Sequence, residues 1–518
     1  MKHLLAFGLL LIITACGSQT EFEKLISNNN HFDIAIINGN IIDGSGAEGF
    51  EADLLIRDDA IAFVGKIDLE KIEVDKTIDA EGQIVSPGFI DVHAHGNPLS
   101  DVSFESFLAT GVTTMVLGQD GGNPSLKGQE YDILPWMDEL AQSNLELNVA
   151  MFVGHGSLRR QAQIPNEVKP TTAQLMAMGA ALKAALEAGC FGISTGLEYV
   201  PGMYADKLEL QTLAKIVGAN DAVMMSHMRN EDDEAIEASL DELLALGELC
   251  QVHVSHLKVV YGKGEERGQE ILQKLASAKK LGIQVSADVY PYIASYTGIG
   301  ILFPSWCKTS KQFERAKLDR LDELREYLFK RVIKRNGPDA TLFGSGAYAG
   351  KTLATVAAEQ NKTYVDILLE VGPQGASGAY FIMDQTLQDQ FITDPKTMIA
   401  SDGSPTMLHP RGHGTQARII QKYVVVENQL DLGLAIYKMT GLPAKTIGLK
   451  DRGLLGKGYK ADILIFNPSE INEKATYENP YQFSEGFNQV ILNGKLVREN
   501  GQLLSDNHGK LLKANNWN

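Results

Sequence analysis

Apolar and polar positions alternate with two different periods along this chain, and the changes of period divide it. From Phe32 to Ile84, short apolar runs such as Asp33-Ile34-Ala35-Ile36-Ile37 and Asp53-Leu54-Leu55-Ile56 are separated by turn residues, as in Asn38-Gly39-Asn40. That is the texture of β-hairpins. It returns near the C-terminus in Ala461 to Phe466 and in Val490 to Val497. The two β-rich ends predict one small β-sandwich, built from residues 31–86 and 447–515. Between them, over 87–446, apolar strand segments end near His95, Gly118, Gly154, Thr195, His227, His256, Tyr290 and Asp402. Segments of helical period, such as Ala173 to Ala188 and Glu234 to Leu249, fill most of the intervals. Eight parallel-type strands with helical crossovers predict a (β/α)8 barrel, an α/β fold. The interval from Tyr290 to Asp402 is too long for one crossover. Its charged helical stretch, Lys311 to Lys334, predicts an inserted subdomain at about 300–395.

The N-terminus has another pattern. Lys2 and His3 precede the apolar run Leu4 to Ile13, which is too short to span a bilayer and has the proportions of a signal segment. The following Ile13-Thr14-Ala15-Cys16 resembles a bacterial lipobox. The expectation is a signal peptide over 1–15, lipidation of Cys16 and a polar tether over 16–30. The protein would then be held in the bacterial cell envelope by lipid alone, facing the periplasm or exterior.

Composition changes this picture little. The 518 residues are 44% hydrophobic and 22% charged, ordinary for a globular chain. A net charge of −18 argues against nucleic acid as a partner and requires local Lys or Arg to capture any anionic substrate. If Cys16 carries lipid, Cys190, Cys250 and Cys307 remain, an odd number and no disulfide framework. Cys190 and Cys250 sit at the ends of helical segments and read as small buried apolar residues.

The chemistry lies at the strand ends. His93 and His95 stand two apart in Pro87-Gly88-Phe89-Ile90-Asp91-Val92-His93-Ala94-His95, so a strand points both imidazoles the same way. Ser226-His227, Ser255-His256-Leu257-Lys258 and Ser401-Asp402-Gly403 stand at later strand ends. Active sites of such barrels collect there. Four histidines and an aspartate at one mouth form a metal-hydrolase arrangement. Imidazoles suit zinc, the metal acidifies water, and a carboxylate beside it moves the proton. His253 lies three residues from His256 and reads as structural. His155 follows the third strand and is a candidate to orient a ligand. His409 and His413 are candidates to support the site, and His31 and His508 read as surface residues.

These residues together resemble the amidohydrolase superfamily over almost the whole mature chain. Longer motifs are similar to its N-acyl-D-amino-acid deacylase (D-aminoacylase) group. They are Gly154-His155-Gly156-Ser157-Leu158-Arg159, Gly192 to Tyr199, Ser255 to Lys258, Asp288-Val289-Tyr290-Pro291-Tyr292, and Ser401 to Gly403 followed by His409-Pro410-Arg411. The resemblance implies one or two zinc ions, with His227 and His256 holding the tighter one and His93 and His95 holding a second or completing the first. It implies Asp402 as general acid/base. It implies Lys258, Tyr290 and Arg411 as receptors of the substrate α-carboxylate, with Tyr199 lining the pocket. The chain departs from the group at one place. Where the group has a metal-binding cysteine after the second strand, this chain has Asp120 in Leu117-Gly118-Gln119-Asp120-Gly121. Glu198 is placed first as bridging carboxylate and Asp120 second.

The implied reaction is hydrolysis of a small-molecule N-acyl amino acid, of D configuration, to a carboxylate and a free amino acid. A dipeptidase or a cyclic-amide hydrolase of the dihydroorotase or hydantoinase kind is the nearest alternative. Members of that kind often carry a bridging lysine after the fourth strand, whereas this chain has Ser194-Thr195-Gly196-Leu197-Glu198 and no lysine before Lys207. A non-catalytic, ligand-binding surface lipoprotein is the alternative of another class. Retention of both histidine pairs and Asp402 argues against it.

Overall fold

Strands rich in Ile, Val and Leu pair at both ends of the chain and bury apolar residues on both faces, Ile463, Ile465 and Ile491 on one side and Leu464, Phe466 and Val490 on the other. A computed structural model describes residues 20–514 except Asp101 and residues 505–506; Cys16 and the signal segment lie outside the described residues. One hydrogen-bonded network of nine strands joins the N-terminal strands to Ile463–Phe466, Gln489–Leu492, Lys495–Glu499 and Gln502–Leu503. His31–Ile41 is its hub. Its first part pairs in parallel with Glu73–Asp79 and its end with Ile84–Pro87. The shift falls at a bulge between Ile36 and Gly39. Ile84–Pro87 in turn pairs with Ile463–Phe466, which joins the two termini. Ile36, Leu54, Ile56, Ile463, Ile465 and Ile491 pack into one core from both ends of the chain.

The segment expected to be a polar tether is not one throughout. Glu21–Asn28 is a helix, closed at its start by a reciprocal capping box between Thr20 and Glu23. Phe22 is buried against Phe32, Leu55 and Phe63, with Leu25 and Ile26 beside it. The spacing of 22, 25 and 26 is one helical face. Its three apolar residues stand among polar neighbours, which hides the period.

The barrel has eight strands. Strand 1 is Phe89–Asp91 and strand 2 Val112–Leu117; strand 3 is Asn148–Met151, continued by Val153–Gly154. Strand 4 is Gly192–Gly196, strand 5 Val223–His227 and strand 6 Gln251–Val254. Strand 7 is Val285–Val289 and strand 8 Thr397–Ile399. Neighbours pair in parallel. Strand 8 returns to strand 1 through Asp402 N–H to His93 C=O at 2.7 Å and His95 N–H to Gly403 C=O at 2.7 Å. Nearly every strand residue is buried, as expected where helices cover the sheet.

The inserted subdomain begins earlier and ends earlier than 300–395. Ala294–Gly298 leaves strand 7 directly and pairs with Ser377–Phe381, which also pairs with Thr341–Phe343. Helices Ser310–Asp319, Leu321–Lys334, Leu353–Glu359 and Tyr364–Val371 pack on this sheet around Leu302, Phe303, Leu324, Leu328, Ile367 and Tyr380. Gln385–Thr393 belongs to the barrel, against Gly264–Lys280. Ala-Ser-Tyr-Thr-Gly is too small and polar to read as a strand, which explains the displaced start. No described helix is long and apolar enough to cross a membrane.

Candidate metal centre and substrate cleft

The parallel strands deliver their last side chains to one mouth. His93 and His95 follow strand 1, Asp120 strand 2, Glu198 and Tyr199 strand 4, His256 and Lys258 strand 6, Tyr290 strand 7 and Asp402 strand 8, while His227 ends strand 5. Backbone geometry fixes three of them. Asp120, His256 and Asp402 have φ of 53°, 38° and 49°. This left-handed region costs a non-glycine residue about 1–2 kcal/mol, and such conformations cluster at functional sites. The Asp120 loop is held tightly: a Cβ at Gly196 would lie 2.1 Å from the Asp120 carbonyl oxygen. Gly121 N–H donates to Ser194 Oγ at 3.0 Å across the same contact.

Asp120 is the centre of the arrangement. Its carboxylate lies 3.3 Å from His93 Nε2, 3.5 Å from His95 Nε2 and 3.4 Å from His256 Nε2. His227 Nδ1 is 2.9 Å from His256 Nε2. Asp402 Oδ1 is 3.0 Å from His95 Nε2 and 3.7 Å from His93 Nε2. Two groups able to hold a cation therefore share Asp120: His93, His95, Asp120 and Asp402, and Asp120, His227 and His256. Glu198 reaches only His227, at 3.2 Å, within a third group that includes Glu231. The two carboxylates thus differ: Asp120 touches both histidine pairs and Glu198 one histidine.

These donors fit zinc. His93 Nε2 and Asp120 Oδ1 are buried without a hydrogen-bond partner, and zinc accepts imidazole nitrogen and carboxylate oxygen alike. Electrostatics point the same way. Burial works against charge on His93 and His95, yet Asp120 and Asp402 raise both above the ordinary histidine value. Burial and Lys258 pull His256 down, but Asp120, Asp402 and Glu231 lift it to about 9. Burial pushes Asp120 up, and His93 and His256 bring it well below the usual carboxylate range. The mouth stabilises positive charge at its centre, and a metal ion would replace protons there.

Supporting residues surround the donors. Asp288 Oδ1 accepts from His256 N–H at 2.7 Å, and its Oδ2 lies 2.6 Å from His253 Nε2 and 3.7 Å from His93 Nδ1. His253 is therefore structural, as expected, and acts through Asp288. Asp91, which burial pushes to about 6 against Ser401, accepts from Ser401 N–H at 3.0 Å and ties strand 8 to strand 1. Glu231 Oε1 accepts from Lys258 Nζ at 2.8 Å and lies 3.2 Å from His256 Nδ1. Burial raises Glu231, but Lys258, His227 and His256 bring it to about 2. The one sequence signal for Glu231 is its position four residues after His227. Asp288 stands two residues before Tyr290, and strand alternation already put it on the Tyr290 side.

The residues expected to bind substrate line one cleft with the donors. It is bounded by Glu198, Tyr199, Lys258 and Tyr290 from the barrel and by Ser295, Tyr296, Thr297 and Arg335 from the insert. Arg411 enters beside them: its NH1 is 2.8 Å from Asp402 Oδ2 and its guanidinium lies over the Tyr290 ring at 4.8 Å. Tyr290 Oη is buried without a partner, and burial pushes its hydroxyl up to about 12. Tyr199 Oη accepts from Thr297 Oγ1 at 3.3 Å, so the insert touches the barrel mouth. Burial raises Asp402, but Arg411 and His256 hold it far below the carboxylate range.

The other histidines divide. His409 Nδ1 accepts from Arg411 N–H at 3.1 Å, so it supports the cleft. His413 stacks on Phe483. His155 does not reach the cleft donors; its Nε2 lies 2.7 Å from Glu209, which also accepts from Arg159. His31 is exposed beside Asp75. Cys190, Cys250 and Cys307 are buried and free, and burial pushes the first two thiols up to about 12.

An amidohydrolase family model matches residues 389–498. The N-acyl-D-glutamate deacylase of Alcaligenes xylosoxydans xylosoxydans is 34% identical over 487 residues, covering 90% of this chain and 93% of its own. The crystal structure of N-acyl-D-glutamate deacylase from Bordetella bronchiseptica, complexed with zinc and a phosphonate mimic of the tetrahedral intermediate, superposes with a TM-score of 0.81. It is 31% identical and spans 93% of this chain and all of that one. A D-aminoacylase structure determined to define the role of its binuclear metal centre gives a TM-score of 0.80 at 30% identity, over 93% of this chain and 100% of that one. With the barrel, the two-ended sandwich and the histidine pairs in place, these likenesses show that the chain belongs to the N-acyl-D-amino-acid deacylase group of the amidohydrolases.

Proposed function

We propose that the protein hydrolyses the amide bond of N-acyl-D-amino acids, releasing a carboxylate and a free amino acid, with zinc at the barrel mouth. The observation that carries this reading is one carboxylate, Asp120, shared by two histidine pairs beside an Asp402–Arg411 ion pair. His227, His256 and Asp120 would hold one ion, and His93, His95 and Asp120 the other. Bound zinc supplies Lewis acidity toward the amide carbonyl and lowers the pKa of water. The remaining work falls to side chains. Arg411, Lys258 and the free hydroxyl of Tyr290 receive the substrate α-carboxylate, a guanidinium and an ammonium being suited to that anion. Asp402 stands between the donors and Arg411. From there it takes a proton from the attacking water and returns it to the departing nitrogen. The neighbouring Arg411 guanidinium keeps the Asp402 carboxylate ionised.

The barrel is shared with cyclic-amide hydrolases, so substrate decides. Zinc-supplied protein is expected to hydrolyse N-acetyl-D-amino acids and to leave their L enantiomers, dipeptides and cyclic amides far slower. Cleavage of cyclic amides alone would overturn the reading. The N-terminal sequence supports an envelope address. Mass spectrometry of membrane-extracted protein is then expected to find lipid on Cys16, and a free N-terminus at Met1 would contradict it.

A further inference from the structure

Among the cations at the cleft, Arg335 alone pairs with no carboxylate among the described residues. Glu231 is paired with Lys258, Asp402 with Arg411, and Asp232 accepts from Arg331 at 2.9 Å and Lys334 at 3.1 Å. Arg335 lines the same cleft, only 3% exposed, and makes no ion pair among the described residues. Its Nε is buried without a hydrogen-bond partner, and NH1 has only the Tyr261 hydroxyl, at 3.4 Å. The guanidinium lies over the Tyr380 ring at 4.9 Å.

A buried, unpaired guanidinium costs several kcal/mol unless an anion meets it. Arg335 is also held firmly. It ends helix Leu321–Lys334, whose Arg331 and Lys334 anchor on Asp232 in the loop after strand 5. The backbone that carries Arg335 is thus fixed, while the fork itself has one long hydrogen bond, to Tyr261, and no anion.

This inference rests on the hydrolase reading above. The α-carboxylate has its receptors at Arg411, Tyr290 and Lys258, so Arg335 is left for a second anion. We propose that Arg335 is a specificity-determining residue that binds a second carboxylate of the substrate, so that the preferred substrates are N-acyl amino acids carrying two carboxylates. The second carboxylate comes from an acidic amino-acid side chain or from a dicarboxylic acyl group. A planar fork binds either bidentately, and an amide in the same place leaves the charge uncompensated.

The test compares kcat/KM of the full-length, zinc-supplied protein for N-acetyl-D-glutamate, N-acetyl-D-glutamine and N-succinyl-D-glutamine. The first and second differ only in charge on the side chain, and the third carries an added carboxymethyl group on the acyl chain of the second. One dicarboxylate is expected to exceed N-acetyl-D-glutamine by about 100-fold, and which one does so identifies the source. In R335M that ratio is expected to collapse toward one, mainly through KM, while R335K retains part of it. A loss of packing alone would lower all three substrates together and leave the ratio unchanged. Comparable use of all three by the unaltered protein, or an unchanged ratio in R335M or R335K, overturns the proposal. Hydrolysis of none of them overturns the functional reading together with it, whereas brisk hydrolysis of the neutral substrate alone overturns only the role of Arg335.

Discussion

The barrel mouth and the insert face each other across one cleft but are built on different principles. The mouth takes its donors from the ends of parallel strands, where strand geometry fixes direction and hydrogen bonds from strand to strand fix spacing. Asp120, His256 and Asp402 even sit in left-handed backbone to meet there. The insert contributes no member of the metal groups. It brings Tyr296, Thr297 and Arg335 on a small sheet and a helix with their own core. The contrast separates two tasks: rigid strand ends suit chemistry that tolerates little displacement, and an inserted unit is free to set what enters.

Breaking the mouth has the largest expected effect. Asp402→Asn removes the proton carrier and should lower kcat by about a thousandfold, with the zinc of the Asp120, His227 and His256 group retained as measured by atomic emission. Asp120→Ala strikes both histidine pairs. It should lower zinc stoichiometry and cut kcat/KM by at least the ~100-fold that loss of an outer partner costs. Asp120→Cys should restore the zinc that the alanine variant loses, since thiolate also bridges soft metal.

Changes around the mouth should be smaller. Glu231→Gln leaves Lys258 and His256 without their shared carboxylate, and zinc affinity measured by competition with a chelator should fall ~10–100-fold. On the insert side, the ratio measured for R335M moves while zinc content stays fixed, which separates selection from chemistry. The smallest effect on activity is expected far from both. Phe22→Ala undocks the helix Glu21–Asn28 at a cost of ~3 kcal/mol. Hydrogen exchange over that helix should rise with kcat/KM unaltered.

The same contrast explains what could be read from the chain. Buried parallel strands need continuous apolar runs, so strand ends, and with them His93, His95, His227, His256 and Asp402, stood out. The C-terminal hairpin showed itself through its Asn493-Gly494 turn, whereas Asn38-Gly39, which reads as a turn, is a bulge inside the strand His31–Ile41. Legibility failed where function depends on contacts between distant segments. Asp120 touches His93, His95 and His256 only after strands 1, 2 and 6 close together, so spacing alone favoured Glu198, the residue beside a strand end. Glu231 acts through Lys258, a partner in another segment. Arg335 sits in a run of surface-like charges, Lys330-Arg331-Val332-Ile333-Lys334-Arg335, in which nothing local marks one cation as buried. The helix at Glu21–Asn28 was hidden for a similar reason, because its apolar face is covered only once Phe63 and Leu55 arrive from other strands.

The most direct test strips the protein of metal and adds zinc back while following bound zinc and hydrolysis of N-acetyl-D-glutamate in the same samples. Activity is expected to be absent from the stripped protein and to rise with the first equivalent bound. Full activity in protein shown to contain no metal would contradict the account.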